Sequence, residues 1–197
     1  LCTLTKNIIS LTKKRKIRHK IVLFPPTIYL SNIFPLIRKS KNIFLGSQNV
    51  SPHSDGAFTG EVSAKMIKDI NCNYVIIGHS ERRHIFGESD KILSYKVAVS
   101  TSIKLNTILC VGETASERRK KMTKKVVARQ LKTALLPSKN ILKKNLQKLV
   151  IAYEPVWAIG TGNNATTKQI LDIHKYIRYF LSKIFSRDYK KIKILYG

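Results

Sequence analysis

Short apolar runs alternate with longer segments of helical periodicity along the whole chain. Runs of this length that end at glycine, proline or an acid are typical of parallel strands covered on both faces. The six predicted strands are Ile21–Phe24, Asn42–Gly46, Tyr74–Gly78, Thr107–Gly112, Lys148–Glu154 and Ile192–Gly197. Strands that alternate with helices predict an α/β fold with a parallel sheet and right-handed crossovers. Alternation alone leaves a doubly wound sheet and a barrel both open.

The segments between the strands carry apolar residues at helical spacing. The predicted helices are Thr3–Lys14, Tyr29–Ile37, Val62–Ile70, Asp90–Ser102, a basic helix that follows Glu113 and reaches about Leu135, and Thr166–Phe185. Thr166 or Thr167 is expected to cap the last of them. No internal repeat and no linker divides the sequence, so we expect residues 1–197 to form one domain.

The segment Ala152–Gly162 combines a strand end, an acid and an uncharged loop. Pro155 cannot donate to a sheet ladder, so the apolar strand should end at Glu154. Glu154 then stands at the carboxyl end of a buried strand, where α/β sheets and barrels place catalytic groups. The following loop contains Trp157 and ends with two glycines, which suits a lid that excludes water. The alternative is that Glu154 forms an ordinary salt bridge and the loop is only a connection.

His79 occupies the corresponding position after the strand Tyr74–Gly78. If a helical turn begins just beyond it, the free N–H groups and the dipole of that turn favour a neutral imidazole. A neutral imidazole can donate a hydrogen bond to a substrate oxygen. A base at Glu154 and an electrophile at His79 could together enolise a carbonyl compound. A backbone N–H at Gly160 in the closing loop could hold a phosphate.

The composition is strongly basic, with 37 Lys and Arg against 11 acids and a net charge of +26. Such a charge usually indicates a polyanion partner. Here the lysines are spread over the whole chain among Ile and Asn residues, and no aromatic-interleaved basic patch stands out. We therefore expect no nucleic-acid partner, and we interpret the lysine content as a bias of the coding sequence toward A and T.

Cysteine spacing and hydropathy give no sign of a metal site or a membrane segment. Cys2, Cys72 and Cys110 form no CxxC pair, and no cofactor or metal is expected. The sequence has no recognisable signal peptide and no apolar run of about 18 residues. We expect a cytoplasmic protein with no membrane partner.

Several motifs together resemble the triosephosphate isomerase family, and they occur in the family's order across essentially the whole chain. The matching blocks are Asn49-Val50, Gly56–Ala64, Gly78–Arg83, Ile108–Glu113 and Ala152–Gly162. The resemblance implies the (β/α)8 barrel of that family, which decides between the two architectures. It also implies interconversion of dihydroxyacetone phosphate and D-glyceraldehyde 3-phosphate in glycolysis and gluconeogenesis.

The resemblance assigns roles to individual residues. Glu154 corresponds to the base that moves the proton between two carbons, and His79 to the neutral electrophile, an arrangement established for this family. Glu81 is implied as a supporting acid, Cys110 as a residue packed behind the base, and Gly160 as the lid amide that contacts phosphate. The family is dimeric, and the loop Gln48–Glu61 resembles the one that reaches into the partner subunit.

The sequence departs from the family pattern at both ends and at two internal places. Family members begin with a strand that carries an Asn and a catalytic Lys, and this sequence has neither. Tyr196-Gly197 resembles the start of a Tyr-Gly-Gly-Ser block that helps to hold the phosphate, and the Ser is absent. We therefore expect an incomplete barrel domain with about six of eight strand–helix units, inactive as residues 1–197 alone. Lys65 stands where the family often has Pro, and Asn163-Asn164-Ala165 forms the far hinge of the lid.

Three other functions remain open at this stage. One is a basic, non-catalytic barrel that binds nucleic acid, and another is a truncated, inactive remnant. The third is a different phosphosugar enzyme on the same fold.

Overall fold

A parallel sheet of six strands in sequential order forms the centre of the molecule. The computed structural model describes all of residues 1–197. The strands are β1 (Ile21–Leu23), β2 (Ile43–Ser47), β3 (Tyr74–Ile77), β4 (Asn106–Val111), β5 (Leu149–Tyr153) and β6 (Lys193–Tyr196). Each strand pairs in parallel with the next. A doubly wound sheet reverses its strand order at a switch point, whereas a barrel adds every strand on the same side. The sheet is therefore part of a (β/α)8 barrel, with β1 and β6 at its open edges.

Helices connect the strands and cover one face of the sheet. They are α1 (Cys2–Lys14), α2 (Leu30–Ile37), α3 (Ala64–Asp69), α4 (Ser80–His84), α5 (Asp90–Ser102), α6 (Ala115–Arg119), α7 (Thr123–Leu135), α8 (Lys139–Lys143) and α9 (Thr167–Phe185). Hydroxyl side chains cap several of them. Thr166 caps α9 in a capping box, in which Gln169 reciprocally accepts from the Thr166 N–H. The predicted start of this last helix is confirmed.

The prediction of a single basic helix after Glu113 is wrong. The structure has two helices there, α6 and α7, with a break at residues 120–122. Lys121 adopts a left-handed conformation with φ 57°, which stops the first helix. Helix α8 was also missed, because its lysine-rich sequence has almost no apolar periodicity.

The hydrophobic core lies between the sheet and the helices. Val75, Ile77, Leu109 and Ile151 from the strands are buried together with helical residues such as Leu131. Most of the alternate residues of β3 to β5, such as Ile76, Ile108 and Ala152, are only half-buried. Complete coverage of both sheet faces, as expected from the continuous apolar runs, is therefore wrong for this six-stranded sheet. The sheet's second face forms the wall of an open concavity.

The helices have no membrane-spanning character, since none is both long enough and apolar enough to cross a bilayer.

Candidate active site

The carboxyl ends of β3 and β5 bring the two predicted catalytic side chains together. His79 follows β3 after Gly78, and Glu154 directly follows β5. Nε2 of His79 lies 3.0 Å from Oε1 of Glu154. Because all the strands are parallel, their carboxyl ends share one edge of the sheet, and residues 75 positions apart become neighbours.

Helix α4 fixes the orientation of the His79 ring. His79 is the N-cap of this helix, so the predicted helical turn does begin just beyond it. The Glu81 backbone N–H donates to Nδ1 of His79 over 3.4 Å. An Nδ1 that accepts a hydrogen bond carries no proton, so the proton of the neutral ring is on Nε2. Nε2–H therefore points at Glu154 and is the group that a substrate oxygen would meet.

Glu154 is buried, with 8% of its surface exposed. Its Oε2 accepts a hydrogen bond from the Ser80 backbone N–H over 2.9 Å. Burial raises the pKa of Glu154 above its ordinary value, and the nearby Glu81 adds to this rise. His79 and the Ser80 N–H oppose it. A carboxylate with a raised pKa is a stronger base than an exposed one, which suits proton abstraction from carbon.

Glu81 and Gly160, the other two predicted site residues, lie further from the central pair. The carboxylate of Glu81 is largely exposed, and its Oε2 lies 3.7 Å from Nδ1 of His79. Gly160 lies in the exposed part of the lid segment 155–162, with φ 68°. A Cβ added at Gly160 would contact no other atom, so space does not require glycine here. The left-handed backbone conformation favours glycine at this position. The structure does not bring Gly160 to the His79–Glu154 pair.

Cys110 lies on β4 beside the strand that carries the base. It pairs in register with Ala152 and is buried. Burial, with the added effect of Glu154, raises the pKa of the Cys110 thiol. The thiol therefore stays protonated and acts as a small apolar neighbour.

Glu113 is a site residue whose role the sequence did not reveal. It is fully buried and accepts hydrogen bonds from the Tyr153 hydroxyl and from Nε1 of Trp157, over 3.1 and 3.0 Å. Arg118 pairs with the same carboxylate at 3.2 Å and lies over the Trp157 ring at 4.0 Å. The first residues of the lid are thus tied to the end of β4. Glu113 stands two residues after the end of β4, close to the position that Glu154 has after β5, and this position at a strand end was the signal in the sequence.

A cavity of about 590 Å³ opens at the carboxyl ends of β1 to β3, beside His79. Polar groups from different strand ends line it, including Gln48, Asn49, Glu81 and Arg82. Its size and polar wall suit a small, charged molecule. No group of three or more His, Cys, Asp or Glu residues is placed to hold a metal ion.

Comparisons with known proteins agree on one family. The family model described as triosephosphate isomerase matches residues 2–197. A triosephosphate isomerase of Lawsonia intracellularis is 45% identical over 179 residues, which are 90% of this chain and 69% of that protein. The triosephosphate isomerase of Shewanella piezotolerans is 41% identical over 192 residues, 94% of this chain and 73% of the relative. That of Francisella tularensis subsp. holarctica is 41% identical over 180 residues, 91% and 69% respectively.

Proposed function

The chain belongs to the triosephosphate isomerase family, and on this basis we propose that Glu154 and His79 carry out the interconversion of dihydroxyacetone phosphate and D-glyceraldehyde 3-phosphate. The single observation that carries the assignment is the 3.0 Å contact between a buried carboxylate and an imidazole whose proton is on the facing nitrogen. These are the two groups that enolisation of a carbonyl compound requires.

Glu154 acts as the base. It removes a proton from C1 of dihydroxyacetone phosphate, and the C–H electron pair moves into the C1–C2 bond to give an enediolate. The C2–O π electrons move onto O2, and the imidazole of His79 passes the proton of the C1 hydroxyl from O1 to O2. The same carboxyl then returns a proton to C2, so that the ketone becomes an aldehyde without any net change in oxidation state. In the free protein the carboxylate is bound to the Ser80 N–H and to His79. A substrate must therefore enter between Glu154 and His79 and release the carboxylate.

His79 acts as the electrophile toward the oxygens of the substrate. Its Nε2–H donates to the carbonyl oxygen of the substrate and stabilises the negative charge that develops there. The Glu81 N–H holds Nδ1 and keeps the donor hydrogen on the correct nitrogen. The Glu81 carboxylate lies on the solvent side of the ring, with its Oε2 3.7 Å from Nδ1.

The segment 155–162 acts as the lid. Its first turn is anchored, since the Val156 N–H donates to the Glu113 carbonyl and Trp157 donates to the Glu113 carboxylate. Its tip is exposed, and Gly160 and Gly162 both have positive φ. Closure about this anchored end would carry the Gly160 N–H toward the substrate phosphate and exclude water from the enediolate.

The protein forms a homodimer through the Gln48–Glu61 loop. Residues 53–60 are exposed, yet the loop is ordered by its own contacts. The ring of Phe58 stacks on His53 with centroids 4.2 Å apart, and Asp55 accepts from the Ser63 hydroxyl at 2.5 Å. An exposed loop with a preformed shape and an aromatic residue near its tip suits insertion into a partner of the same kind.

The proposed setting is cytoplasmic sugar metabolism, where triose phosphates are glycolytic intermediates. No part of the proposed reaction uses a cofactor, a metal ion or a nucleic acid.

A coupled isomerase assay on the gene product tests this function. We expect turnover of dihydroxyacetone phosphate, and Glu154→Gln should lower kcat by about 10³-fold with little change in KM. Turnover of a different phosphosugar in place of triose phosphates would favour another enzyme on the same fold. An intact fold without turnover, together with tight DNA binding that does not depend on sequence, would favour a non-catalytic basic barrel.

A further inference from the structure

Arg83 is a buried arginine that connects the two halves of the site without facing the substrate cavity. Its side chain is 9% exposed. Nε donates to the Gly78 carbonyl over 2.7 Å, and one terminal nitrogen donates to the Cys110 carbonyl over 2.9 Å. The other terminal nitrogen pairs with Asp90 at the start of α5, over 2.6 Å. One guanidinium thus uses both edges of its planar fork on fixed partners.

The two carbonyls that Arg83 binds belong to the residues just beyond the end of a sheet ladder. Strands β3 and β4 pair as far as Ile77 and Leu109, and Gly78 and Cys110 are the next residues. The guanidinium therefore joins the strand ends where their backbone pairing has stopped. β4 and β5 stay paired for two residues more, as far as Val111 and Tyr153.

Each strand end that Arg83 joins carries one side of the catalytic pair. Gly78 directly precedes His79. On the other side, the Glu154 N–H donates to the Val111 carbonyl over 2.8 Å, next to Cys110. Hydrogen bonds of the Arg83 guanidinium thus connect the backbone beside His79 to the backbone that holds Glu154. We propose that Arg83 is a positioning residue for the isomerisation, which holds His79 and Glu154 at the separation that the reaction needs.

The close approach of the guanidinium also accounts for Gly78. This residue has φ 73°, and an added Cβ would lie 2.8 Å from an Arg83 nitrogen and 2.9 Å from Leu93 Cδ1. A side chain here would displace the arginine as well as strain the backbone. The glycine before His79 and the arginine after it therefore act as one unit.

Arg83 has an electrostatic effect in addition to its bonds. The charged groups that act on Glu154 are His79 and Arg83, which lower its pKa, and Glu81, which raises it together with burial. The neutral Cys110 thiol is the other titratable group against the base. Removal of the Arg83 charge should therefore raise the pKa of Glu154 further. The acid limb of the kcat/KM profile, where the base becomes protonated, would move to higher pH.

Two substitutions of Arg83 distinguish its positioning of the strand ends from the effect of its charge on Glu154. Arg83→Met removes both the bridge and the charge, and we expect kcat to fall by about 10²-fold with KM little changed, since a misplacement of about 1 Å has this effect. Its acid limb should move to higher pH. Arg83→Lys keeps the charge but has no planar fork to bind three partners, so kcat should fall while the acid limb stays near its wild-type position.

Arg129→Met is the matched control. Arg129 also pairs with Asp90, at 3.4 Å, but its side chain is 61% exposed and touches neither strand-end carbonyl. This variant should keep wild-type kinetics and an unchanged pH profile. Melting by circular dichroism gives the folded fraction of each variant, so that rates are compared per folded molecule.

A folded Arg83→Met with wild-type kcat and an unmoved acid limb would refute the inference. If Arg83→Met does not fold, the test rests on Arg83→Lys. A wild-type kcat in Arg83→Lys would then refute the inference. The inference rests on the proposed function, and different results would refute the inference and the function. A wild-type gene product without isomerase activity removes the function, whereas an active wild type with fully active Arg83 variants removes only the role of the arginine.

Discussion

The position of one proton on His79 determines what this site can do. Nδ1 accepts from a backbone N–H, so Nε2 is the donor and faces the carboxylate of Glu154. A charged imidazolium would have no lone pair for that backbone N–H. The local backbone therefore leaves Nε2 as the nitrogen that donates a hydrogen bond toward the substrate oxygen in the proposed reaction.

His79→Gln should lower kcat by about 10²-fold, less than Glu154→Gln. The amide N–H of glutamine still donates to the substrate oxygen, but an amide cannot shuttle a proton as imidazole does. Steady-state kinetics measures the effect. His84→Gln, on the exposed end of α4, is the control and should leave kcat unchanged. Equal activity of the two variants would contradict the assignment.

Glu154→Gln should stabilise the fold at neutral pH. Burial raises the pKa of this carboxyl in the folded state, so the folded protein binds its proton more tightly than the unfolded chain does. The stability from that proton is lost as the pH rises from the ordinary value toward the raised one, and at pH 7 the ionised carboxylate is a cost. The amide removes this cost.

Calorimetry at two pH values checks this stability effect. At pH 7 the glutamine variant should melt higher, by roughly 2–4 °C for each kcal/mol relieved. Below about pH 4 both side chains are neutral and the difference should vanish. A variant that melts lower at pH 7 would mean that Glu154 stabilises the free protein.

The sequence predicted that His79 and Glu154 lie close together, because each stands at the carboxyl end of an apolar strand. It could not predict their partners in the same way. The Ser80 N–H that binds Glu154 has no signature in the side chains, and the contact spans 74 positions. The contacts of the buried Glu113 could not be predicted either, because its partners Tyr153 and Trp157 lie 40 and 44 positions away along the chain.

The segment 155–162, which we propose as the lid, is held at its start by side chains from elsewhere in the chain. Trp157 donates to Glu113, and Arg118 packs on the same ring. Trp157→Phe keeps an aromatic ring but removes the N–H, so the anchored end of the lid loses one of its two ties to Glu113. We expect kcat to fall by roughly 10-fold, the equivalent of about 1.4 kcal/mol in transition-state stabilisation.

Steady-state kinetics with a second lid variant checks this prediction. Ile159→Leu is the control, because Ile159 lies in the same lid, is 41% exposed and makes no hydrogen bond through its side chain. It should retain wild-type kcat. If Trp157→Phe also retains it, the Glu113 hydrogen bond has no part in lid closure.

The strands were predicted within one or two residues and the helices less well. Continuous apolar runs bounded by Gly, Pro or an acid mark the strands clearly. The break between α6 and α7 has no Gly or Pro, and it depends on the left-handed conformation of Lys121, which a lysine seldom adopts. The local sequence therefore carries no signal for this break.

For the molecule as a whole, the strand order is what makes the site. Each strand pairs in parallel with its successor in the sequence, so all carboxyl ends lie at one edge of the sheet, and the strands curve in one direction as in a barrel. Hydrophobic alternation could not choose between this winding and a doubly wound sheet, because both consist of the same βα units. The family resemblance predicted the barrel, and the pairing of the strands confirms it.

The proposed dimer interface is the Gln48–Glu61 loop. Phe58→Asp places a charge at its aromatic residue, which is 41% exposed, and should weaken the dimer. Deletion of residues 54–60 should give monomers. Sedimentation velocity measures both, and Tyr179→Asp, at an exposed aromatic residue on α9, is the matched control. Dimers that survive the deletion would exclude this loop as the interface.

The most direct test of the account is hydrogen exchange at carbon. The gene product is incubated with dihydroxyacetone phosphate in D₂O, and deuterium at the reacting carbon is followed by NMR. Proton transfer through Glu154 predicts that deuterium enters the triose phosphates with the wild-type protein, and that the rate of entry falls by about 10³-fold in Glu154→Gln. Isomerisation without any deuterium in the product, or exchange by Glu154→Gln at the wild-type rate, would contradict it.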